Sequence, residues 1–344
     1  MLSHASLDAW NIKETDLPPL ADGAAKLRFA LHYAALAPSN HNTQPWRFLA
    51  DGTSVMLRAD RTRALAVVDP HHRELIIGCG AALFNLRVAL ERFGLGYKIT
   101  LLPDQLDADL LAHVRVVHEG KNGFGIAALF DAITRRVTTR EAFDPAPVPA
   151  DMQDALVGAA IAEGVNAVSI TGTPGRERIA ELVARADHLQ FRDARFRREL
   201  VRWIDPPRRG DGMPAYASGV SALLDFASPI ASSAIRTFDL GKGAAAARCR
   251  LVEHSPMLLC IGTVEDNPSA WLAVGQALER VLLTAVRLGL SVSYLNQPIE
   301  VDELRDALRL EAAIDAFPQV LLRLGKGPSS AHTPRRSMSE MVTL

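Results

Sequence analysis

The sequence predicts an α+β fold made of two related halves in tandem. Three observations support this. Two long apolar segments stand 195 residues apart, a shorter helical segment precedes each of them, and each half closes with a strand that leads into glycine. The 344 residues are 48% hydrophobic and 22% charged, which is typical of a soluble globular protein.

The two long segments are the strongest part of the repeat. GCGAALFNLRVALERFGLGYKITLLP, from Gly78, aligns with AVGQALERVLLTAVRLGLSVSYLNQP, from Ala273, and pairs Gly80 with Gly275 and Gly94 with Gly289. Each segment predicts a buried helix that ends at a glycine and is followed by a short strand. The small residues near each helix start would let another helix approach closely.

Weaker matches flank these helices in the same order. Ala30 and Leu31 recur as Ala155 and Leu156, and terminal strands are predicted from His113 and from Gln319. Each half is therefore expected to run helix, strand, long helix, strand, helix, strand. We place the first half at residues 20–125 and the second at residues 126–336.

The halves differ between the first strand and the long helix. The first half has a short connection, residues 52–73, whereas the second has a stretch of about 172–250 with charged helical segments and the breaker-rich DPPRRGDGMP. Such an insertion is either a lid over a site or a solvated excursion. The tail from Gly325 onward lacks periodicity and is predicted to be an extended arm.

Two polar clusters are candidates for chemistry. Residues 38–46, PSNHNTQPW, place six hydrogen-bonding side chains between two prolines, which suits either an Asx-capped turn or a ligand with a flat polar edge. In RRVTTR, residues 135–140, Arg136, Thr138 and Arg140 alternate and would share one face of an extended segment. Two guanidinium groups beside a hydroxyl can hold a phosphate, although the same pattern also fits a solvated basic edge.

Charge and composition exclude several classes. The formal net charge is −1, so a general nucleic-acid binder is not expected. No apolar run approaches the ~18 residues of a membrane span, and no signal peptide is evident, so we expect a cytoplasmic protein without membrane partners. The three cysteines lack disulfide or zinc spacing, and the adjacent His71 and His72 are typical of helix capping, so no metal is expected.

The two clusters together carry a family resemblance. PSNHNTQPW resembles the P-S-x-x-N-x-Q-P-W signature of the nitroreductase-like, FMN-dependent oxidoreductases. RRVTTREAF is similar to that family's R-R-x-S-x-R-x-F phosphate motif, with Thr138 in the serine position and one extra residue before Phe143. The segments GQALERVLLTAVRLGL, LNQPI and FPQVLLRLG resemble the family's carboxy-terminal half.

The resemblance implies that this chain is a fused dimer with one FMN site. Ordinary members dimerise and build two sites, each from the arginine motif of one subunit and the P-S-x-x-N motif of the other. Here each motif occurs once, in different halves, and Glu163-Gly164-Val165-Asn166 stands where Pro38–His41 would repeat. This arrangement is similar to the double-length, Acg-like branch, and it is compatible with a monomer.

The resemblance also assigns site residues. Arg136, Thr138 and Arg140 would hold the FMN phosphate, ribityl chain and pyrimidine edge, with Arg140 as the electrostatic partner of N1 and C2=O. The resemblance assigns three further groups of residues to the flavin site. Pro38, Ser39, Asn40 and Asn42 would line it from the first half. Leu295, Asn296 and Gln297 would face flavin N5 with a backbone N–H, and Arg335 or Arg336 would close on the phosphate.

The activity implied is NAD(P)H-dependent two-electron reduction of a small nitro or quinone-like acceptor. An alternative is an FMN-sequestering protein with little turnover, in which the insertion, through Met213 and Tyr216, covers the flavin. A third interpretation, an FMN-dependent oxidase or dehalogenase on the same fold, differs only in pocket residues.

Overall fold

The structure is a computed structural model, and it describes residues 7–119, 125–204, 210–214 and 251–344. Helices and two mostly antiparallel sheets alternate along these residues. The predicted α+β class is confirmed.

The first part of the chain forms a helix, a hairpin, a long helix and a second hairpin. These elements are α1 (Gly23–Ala34), β1 (Trp46–Asp51), β2 (Ser54–Ala59), α2 (Arg73–Arg92), β3 (Leu95–Leu101) and β4 (Leu110–Glu119). Helix α1 begins where Asp22 accepts a hydrogen bond from the Ala25 N–H, a standard amino-terminal cap.

The second part repeats this pattern with a short helix at its start, two additional helices before its second strand and two more before its last strand. Its elements are α3 (Phe130–Ile133), α4 (Ala150–Ile161), β5 (Asn166–Ile170), α5 (Thr173–Arg192), α6 (Ala194–Trp203), β6 (Met257–Thr263), α7 (Pro268–Arg287), β7 (Ser291–Tyr294), α8 (Gln297–Glu300), α9 (Asp302–Glu311) and β8 (Phe317–Gly325). The chain ends in α10 (Met338–Met341) and β9 (Val342–Thr343).

The two sheets have the same strand order. The first sheet runs β3-β4-β2-β1-β9 and the second runs β7-β8-β6-β5. The four strands of each half therefore lie side by side in the same spatial order, and β9 is added at one edge of the first sheet. The pairs within each set of four are antiparallel. The repeat in the sequence therefore corresponds to a repeat in the order of the strands.

The predicted order of elements was wrong in two respects. Each half has two strands before its long helix rather than one, since β2 lies within the predicted connection at residues 52–73 and β6 was not predicted. Strand β6 is buried at every position, so it shows no alternation that a sequence pattern could reveal. In the first half no helix separates β3 from β4, because a turn joins them directly.

The long helices α2 and α7 cross at the centre of the molecule. At the crossing, a methyl group on Gly275 would lie 2.1 Å from the Ile77 carbonyl oxygen and 2.7 Å from the Gly80 Cα. Helix α2 is buried along almost its whole length, because the crossing covers one side of it and the first sheet another. A second core forms between α4, α7 and the second sheet.

The described part of the insertion, helices α5 and α6, packs against the first half. Phe196, Leu200 and Trp203 form one apolar cluster with Leu65 and Val68. The Glu199 carboxylate accepts hydrogen bonds from the backbone N–H groups of Val67 and Val68 at 2.9–3.2 Å. Residues 205–209 and 215–250 of the insertion, Tyr216 included, lie outside the described residues.

The carboxy-terminal arm connects the second sheet to the first. Residues 326–337 have no regular secondary structure, and β9 then pairs in parallel with β1, with Val342 opposite Phe48. The arm was expected to be extended, but its return to the first sheet was not. None of the helices in the described residues has the length and apolar character that a membrane crossing requires.

Candidate functional site

One cavity of about 270 Å³ lies between the two halves. Its wall is formed by the PSNHN loop (residues 38–44), the arginine motif (residues 135–140), the segment after β7 and the arm. The residues predicted from sequence that line it are Pro38, Ser39, Asn40, Asn42, Arg136, Thr138, Arg140, Leu295, Asn296, Gln297 and Arg335. Arg336 is the predicted residue that does not line it.

The PSNHN loop has an unusual backbone. His41, Asn42 and Gln44 have φ values of 48°, 55° and 50°, in the left-handed region that costs a residue with a side chain about 1–2 kcal/mol. The Ser39 hydroxyl accepts a hydrogen bond from the Gln44 N–H at 2.8 Å and closes the loop. Such strain persists only where the surroundings enforce it, and it concentrates at functional sites.

The arm and the segment around Gly212 hold this loop in place. The Asn42 amide nitrogen donates to the carbonyl oxygens of Gly212 and Pro334, both at 2.9 Å. Its amide oxygen accepts from Arg335 Nη1 at 2.9 Å. Because its amide is engaged by the protein, Asn42 shapes the cavity wall chiefly by fixing the backbone around it.

The arginine motif runs beside β7. The Thr139 N–H donates to the Val292 carbonyl at 3.0 Å, and Thr138 forms a parallel bridge with Val292. Because this segment is extended, Arg136, Thr138 and Arg140 all line the same cavity, as their alternation predicted. Buried Arg136 donates from Nη2 to the Leu36 carbonyl at 3.1 Å, and its Nε lies 3.7 Å from a Glu279 carboxylate oxygen.

The arm supplies two arginines with different surroundings. Arg335 lies at the cavity and donates to the carbonyl oxygens of Leu36 and Ala37 at 3.0 and 3.2 Å. Arg336 points toward the first half, where it donates to the Gln44 carbonyl and to the Glu340 carbonyl, each at 2.9 Å. Of the two sequence candidates, Arg335 therefore has the position from which a cavity ligand can be reached.

Several cavity residues were not singled out from the sequence. Trp10, which lies far from both motifs along the chain, stacks on His332 with ring centroids 4.1 Å apart, and the Arg335 guanidinium lies 4.5 Å from the Trp10 ring centre. Tyr294, Arg323 and Glu74 also line the cavity. No local pattern marks these residues, because strand pairing and the returning arm bring them to the site.

Four arginines give the cavity a positively charged region, which we term the arginine cluster (Arg136, Arg140, Arg323 and Arg335). Burial and the nearby Arg140 lower the pKa of His41 to about 4. Burial, Arg136 and Arg335 lower the pKa of His332 to about 4 as well. Both histidines are therefore neutral near pH 7, and the positive charge comes from the arginines.

The cavity retains unused hydrogen-bonding capacity. Arg335 Nε, the Tyr294 hydroxyl and His41 Nδ1 are buried, and none has a hydrogen-bond partner within the described ranges. Buried polar atoms are normally paired, so such atoms beside a cavity indicate a site for a polar ligand. Together with the arginine cluster, they suit an anionic ligand with several hydrogen-bonding groups.

The insertion helices form another wall of the same cavity. Asp187, Gln190 and Phe191 on α5, with Phe196 and Leu200 on α6, line it. Beyond α6, Met213 places its sulfur 3.6 Å from an Arg140 nitrogen. The described part of the insertion thus lies against the cavity rather than in solvent.

The pseudo-symmetric counterpart of the PSNHN loop is occupied by ion pairs. Glu163, which stands where Pro38 would repeat, accepts from Arg87 Nη1 at 2.5 Å and from Arg280 Nη1 at 2.8 Å. Arg87 also donates to Gln276 at 2.9 Å. These buried side chains occupy the place where a second polar loop would otherwise contact the long helices.

The fold and the cavity define a protein in which a duplicated α+β unit builds one shared site between its two copies. The model of the family described as "Nitroreductase family" matches residues 133–326. The chain belongs to the nitroreductase family, a family of oxidoreductases.

Two curated relatives from Mycobacterium tuberculosis (strain ATCC 25618 / H37Rv) match nearly end to end. "Putative NAD(P)H nitroreductase Rv3131" is 35% identical over 332 residues, which cover 93% of this chain and 91% of the relative. "Putative NAD(P)H nitroreductase acg" is 28% identical over 327 residues, which cover 92% and 94%. The resemblance to the double-length, Acg-like branch is confirmed.

Solved structures match over a smaller share of the chain. The FMN-dependent nitroreductase NfnB from Mycobacterium smegmatis, solved in complex with NADPH, is 16% identical, with a TM-score of 0.43. The match covers 64% of this chain and 99% of NfnB.

Proposed function

We propose that this chain is an oxidoreductase that binds one FMN in the cavity between its halves. It uses NAD(P)H for the two-electron reduction of small nitro or quinone-like acceptors. The observation that carries the proposal is that the PSNHN loop and the arginine motif, predicted from sequence as parts of one flavin site, line a single cavity. The NAD(P)H nitroreductase names of the relatives support the choice of reductant.

The residues present fit FMN. A phosphate requires cationic donors, and Arg136 and Arg335 are buried at the cavity. The Arg335 Nε atom lacks a hydrogen-bond partner in the described residues. A ribityl chain and a pyrimidine edge require further polar groups, which Thr138, Arg140 and the polar side chains of the PSNHN loop supply. Bidentate contacts from guanidinium groups are the strongest such interactions in proteins.

Bound FMN supplies the hydride chemistry, while the protein supplies orientation and charge. Arg140 holds a permanent positive charge at the cavity, and such a charge would favour the reduced, anionic form of a flavin bound there. In the segment Leu295–Gln297, the Leu295 N–H is bound to the Leu321 carbonyl at 2.8 Å, so a backbone donor to N5 of a bound flavin would have to come from Asn296 or Gln297. No acid–base pair on the protein is required for this role.

The wall formed by the insertion is the part of the cavity suited to the acceptor. Phe191, Phe196 and Leu200 present apolar and aromatic surface against which a flat nitroaromatic or quinone ring can stack. Asp187 and Gln190 add polar groups beside them. This combination is typical of pockets that bind small organic ligands.

Anaerobic mixing of FMN-loaded protein with NADPH or NADH tests the proposal. Bleaching of the flavin absorbance, followed by its return on addition of a nitroaromatic or a quinone, is the expected result. A flavin spectrum that stays unchanged at millimolar nucleotide would reject the reductase. Protein that fails to bind FMN at all would reject the site.

One observation favours a second candidate, an FMN-sequestering protein with little turnover. Helices α5 and α6 and the Met213 segment pack closely beside the arginine cluster, where they would restrict access to a bound flavin. In that case FMN would bind tightly but would be reduced slowly by both nucleotides. Dithionite, a small reductant, would still bleach it, which separates restricted access from an inactive flavin.

We also propose that one chain is sufficient for the site. Both halves that line the cavity belong to the same polypeptide, so no partner subunit is required to complete it. Size-exclusion chromatography with light scattering should show FMN bound to the monomeric species. FMN retained only by a dimer would contradict this.

A further inference from the structure

Glu74 is a buried carboxylate at the start of α2 that the proposed chemistry does not use. It is 6% exposed and lines the cavity. One of its oxygens, Oε2, accepts a hydrogen bond from the Asn40 amide in the PSNHN loop. The other, Oε1, accepts from the Asn296 amide at 3.0 Å. A single carboxylate therefore joins two segments of the cavity wall that come from different halves.

The surroundings fix the direction of these hydrogen bonds. The Asn296 amide oxygen accepts from the Leu321 N–H at 3.0 Å, so the amide nitrogen must face Glu74. Arg73 Nη2 also donates to Glu74 Oε1, at 3.3 Å, and Arg73 Nη1 is held by the Gln319 carbonyl at 2.8 Å. Since donors face both oxygens, only the ionised carboxylate satisfies every partner.

We propose that Glu74 is a positioning residue for FMN, which holds Asn40 and Asn296 against the cavity from opposite halves. This inference rests on the proposed function. The ionised carboxylate accepts both amide hydrogen bonds, and protonation places an O–H where one of those donors points. The two segments then lose their common anchor, and the cavity is less well organised for its ligand.

The environment of Glu74 makes this relevant near neutral pH. Burial and the nearby Asp69 together raise the pKa of Glu74 to about 7, against the opposing effects of Arg73, Asn296 and Asn40. Other ionisable groups at the cavity are His41, His332, Asp187, Glu300, Tyr294 and the arginine cluster. The Glu74 carboxylate thus changes its charge near pH 7.

The test compares FMN affinity in the wild-type protein and in Glu74→Gln between pH 6 and pH 8, by quenching of flavin fluorescence. The variant retains one acceptor but presents an N–H where an acceptor is required. We expect about 10-fold weaker binding at pH 8, the cost of one charge-assisted hydrogen bond. The difference between the two proteins should shrink toward pH 6. Titration of the FMN phosphate affects both equally and cancels in the comparison.

Glu163→Gln is the matched control. Glu163 is also a buried glutamate with partners on both long helices, but it does not line the cavity. It should lower thermal stability without changing FMN affinity or its pH profile. An equal loss in Glu163→Gln would show that Glu74 acts only through the stability of the interface between the halves.

Asn296→Ala provides a second variant that does not depend on the folding of Glu74→Gln. It removes one end of the same connection, so it should weaken binding and reduce the pH dependence. The double variant should add little to either single change. Wild-type protein that binds FMN, with unchanged affinity and pH profile in both single variants, would overturn the role of Glu74. Wild-type protein that does not bind FMN would instead overturn the proposed function.

Discussion

Gly80 and Gly275, which are equivalent in the sequence repeat, meet at the crossing of α2 and α7. A methyl group on Gly80 would lie 2.5 Å from the Leu272 carbonyl oxygen and 2.9 Å from the Gly275 Cα. The reciprocal methyl group on Gly275 would lie 2.7 Å from the Gly80 Cα. The two copies of one residue thus pack backbone against backbone where the helices cross, as expected near a pseudo-twofold axis.

Gly275→Ala should destabilise the protein strongly. The new methyl group would lie 2.1 Å from the Ile77 carbonyl, which belongs to a helix backbone and cannot rotate away. We expect a loss of about 3 kcal/mol or more in the free energy of unfolding, measured in urea. Gly158→Ala is the matched control, because Gly158 lies in helix α4 with no atom within 4 Å of an added methyl group. That change should stabilise the helix by about 0.5–1 kcal/mol. Equal effects of the two substitutions would contradict the close crossing.

One FMN should bind per chain. Among the residues that the structure describes, one side of the pseudo-twofold axis has the PSNHN loop beside the arginine motif, and Glu163, Arg87 and Arg280 fill the counterpart position on the other. Absorbance of the desalted protein at 280 and 450 nm gives the ratio. A value near two in folded protein would contradict the single site.

Arg136→Ala should weaken FMN far more than riboflavin. The substitution removes a charge-assisted phosphate contact of about 1.5–3 kcal/mol, which corresponds to roughly a 10- to 150-fold loss of FMN affinity. Riboflavin lacks the phosphate and provides the control ligand. Equal losses for both ligands in a fluorescence titration would show that Arg136 only supports the fold, for example as the partner of Glu279.

Asn42→Ala should lower the stability of the ligand-free protein. It removes three buried hydrogen bonds, to Gly212, Pro334 and Arg335, at a cost of about 2–4 kcal/mol. Asn42→Gly removes the same bonds but suits the φ of 55°, so it should be about 1 kcal/mol less damaging. Urea unfolding of both variants measures the difference. Unchanged stability in Asn42→Ala would mean that the arm does not hold the loop.

Glu279→Gln should flatten the pH dependence of stability between about pH 4.5 and pH 7. Burial raises the pKa of Glu279 to about 7, despite the opposing charge of Arg136. The folded protein therefore binds this proton more tightly than the unfolded chain, and the associated stabilisation is lost as pH rises through this range. The difference in unfolding free energy between the wild type and the variant should change by about 1–3 kcal/mol. A constant difference would show that Glu279 keeps an ordinary pKa.

The effect of Glu279 on the pH dependence of stability can be distinguished from the effect of the buried histidines. The lowered pKa values of His41 and His332 work in the opposite direction, because each histidine is held neutral and stability falls as pH drops from 6.5 toward 4. Glu279→Gln leaves these two residues in place. The loss of stability on the acidic side should therefore persist in the variant.

The long helices and most strands could be predicted because their signals are local. The uninterrupted apolar runs from Gly78 and Ala273 required burial, and the glycines that follow them marked the helix ends. Strands β2 and β6 and the β3–β4 hairpin were missed, and for β6 and the hairpin the reason is physical. A strand buried on both faces has no alternation, and a polar turn can replace a helix between paired strands without changing the hydrophobic pattern. The boundary between the halves at residues 125 and 126 stays a prediction.

The sequence by itself determined the duplicated α+β unit, the two polar motifs and their separation into different halves, because periodicity, spacing and residue type are properties of short segments. Only the tertiary structure decided which side chains surround the cavity. The crossing at Gly80 and Gly275, the Glu74 connection and the return of the arm with Arg335 each join residues more than 190 positions apart. Such contacts depend on helix packing and strand pairing between distant segments, which no local pattern of residues specifies.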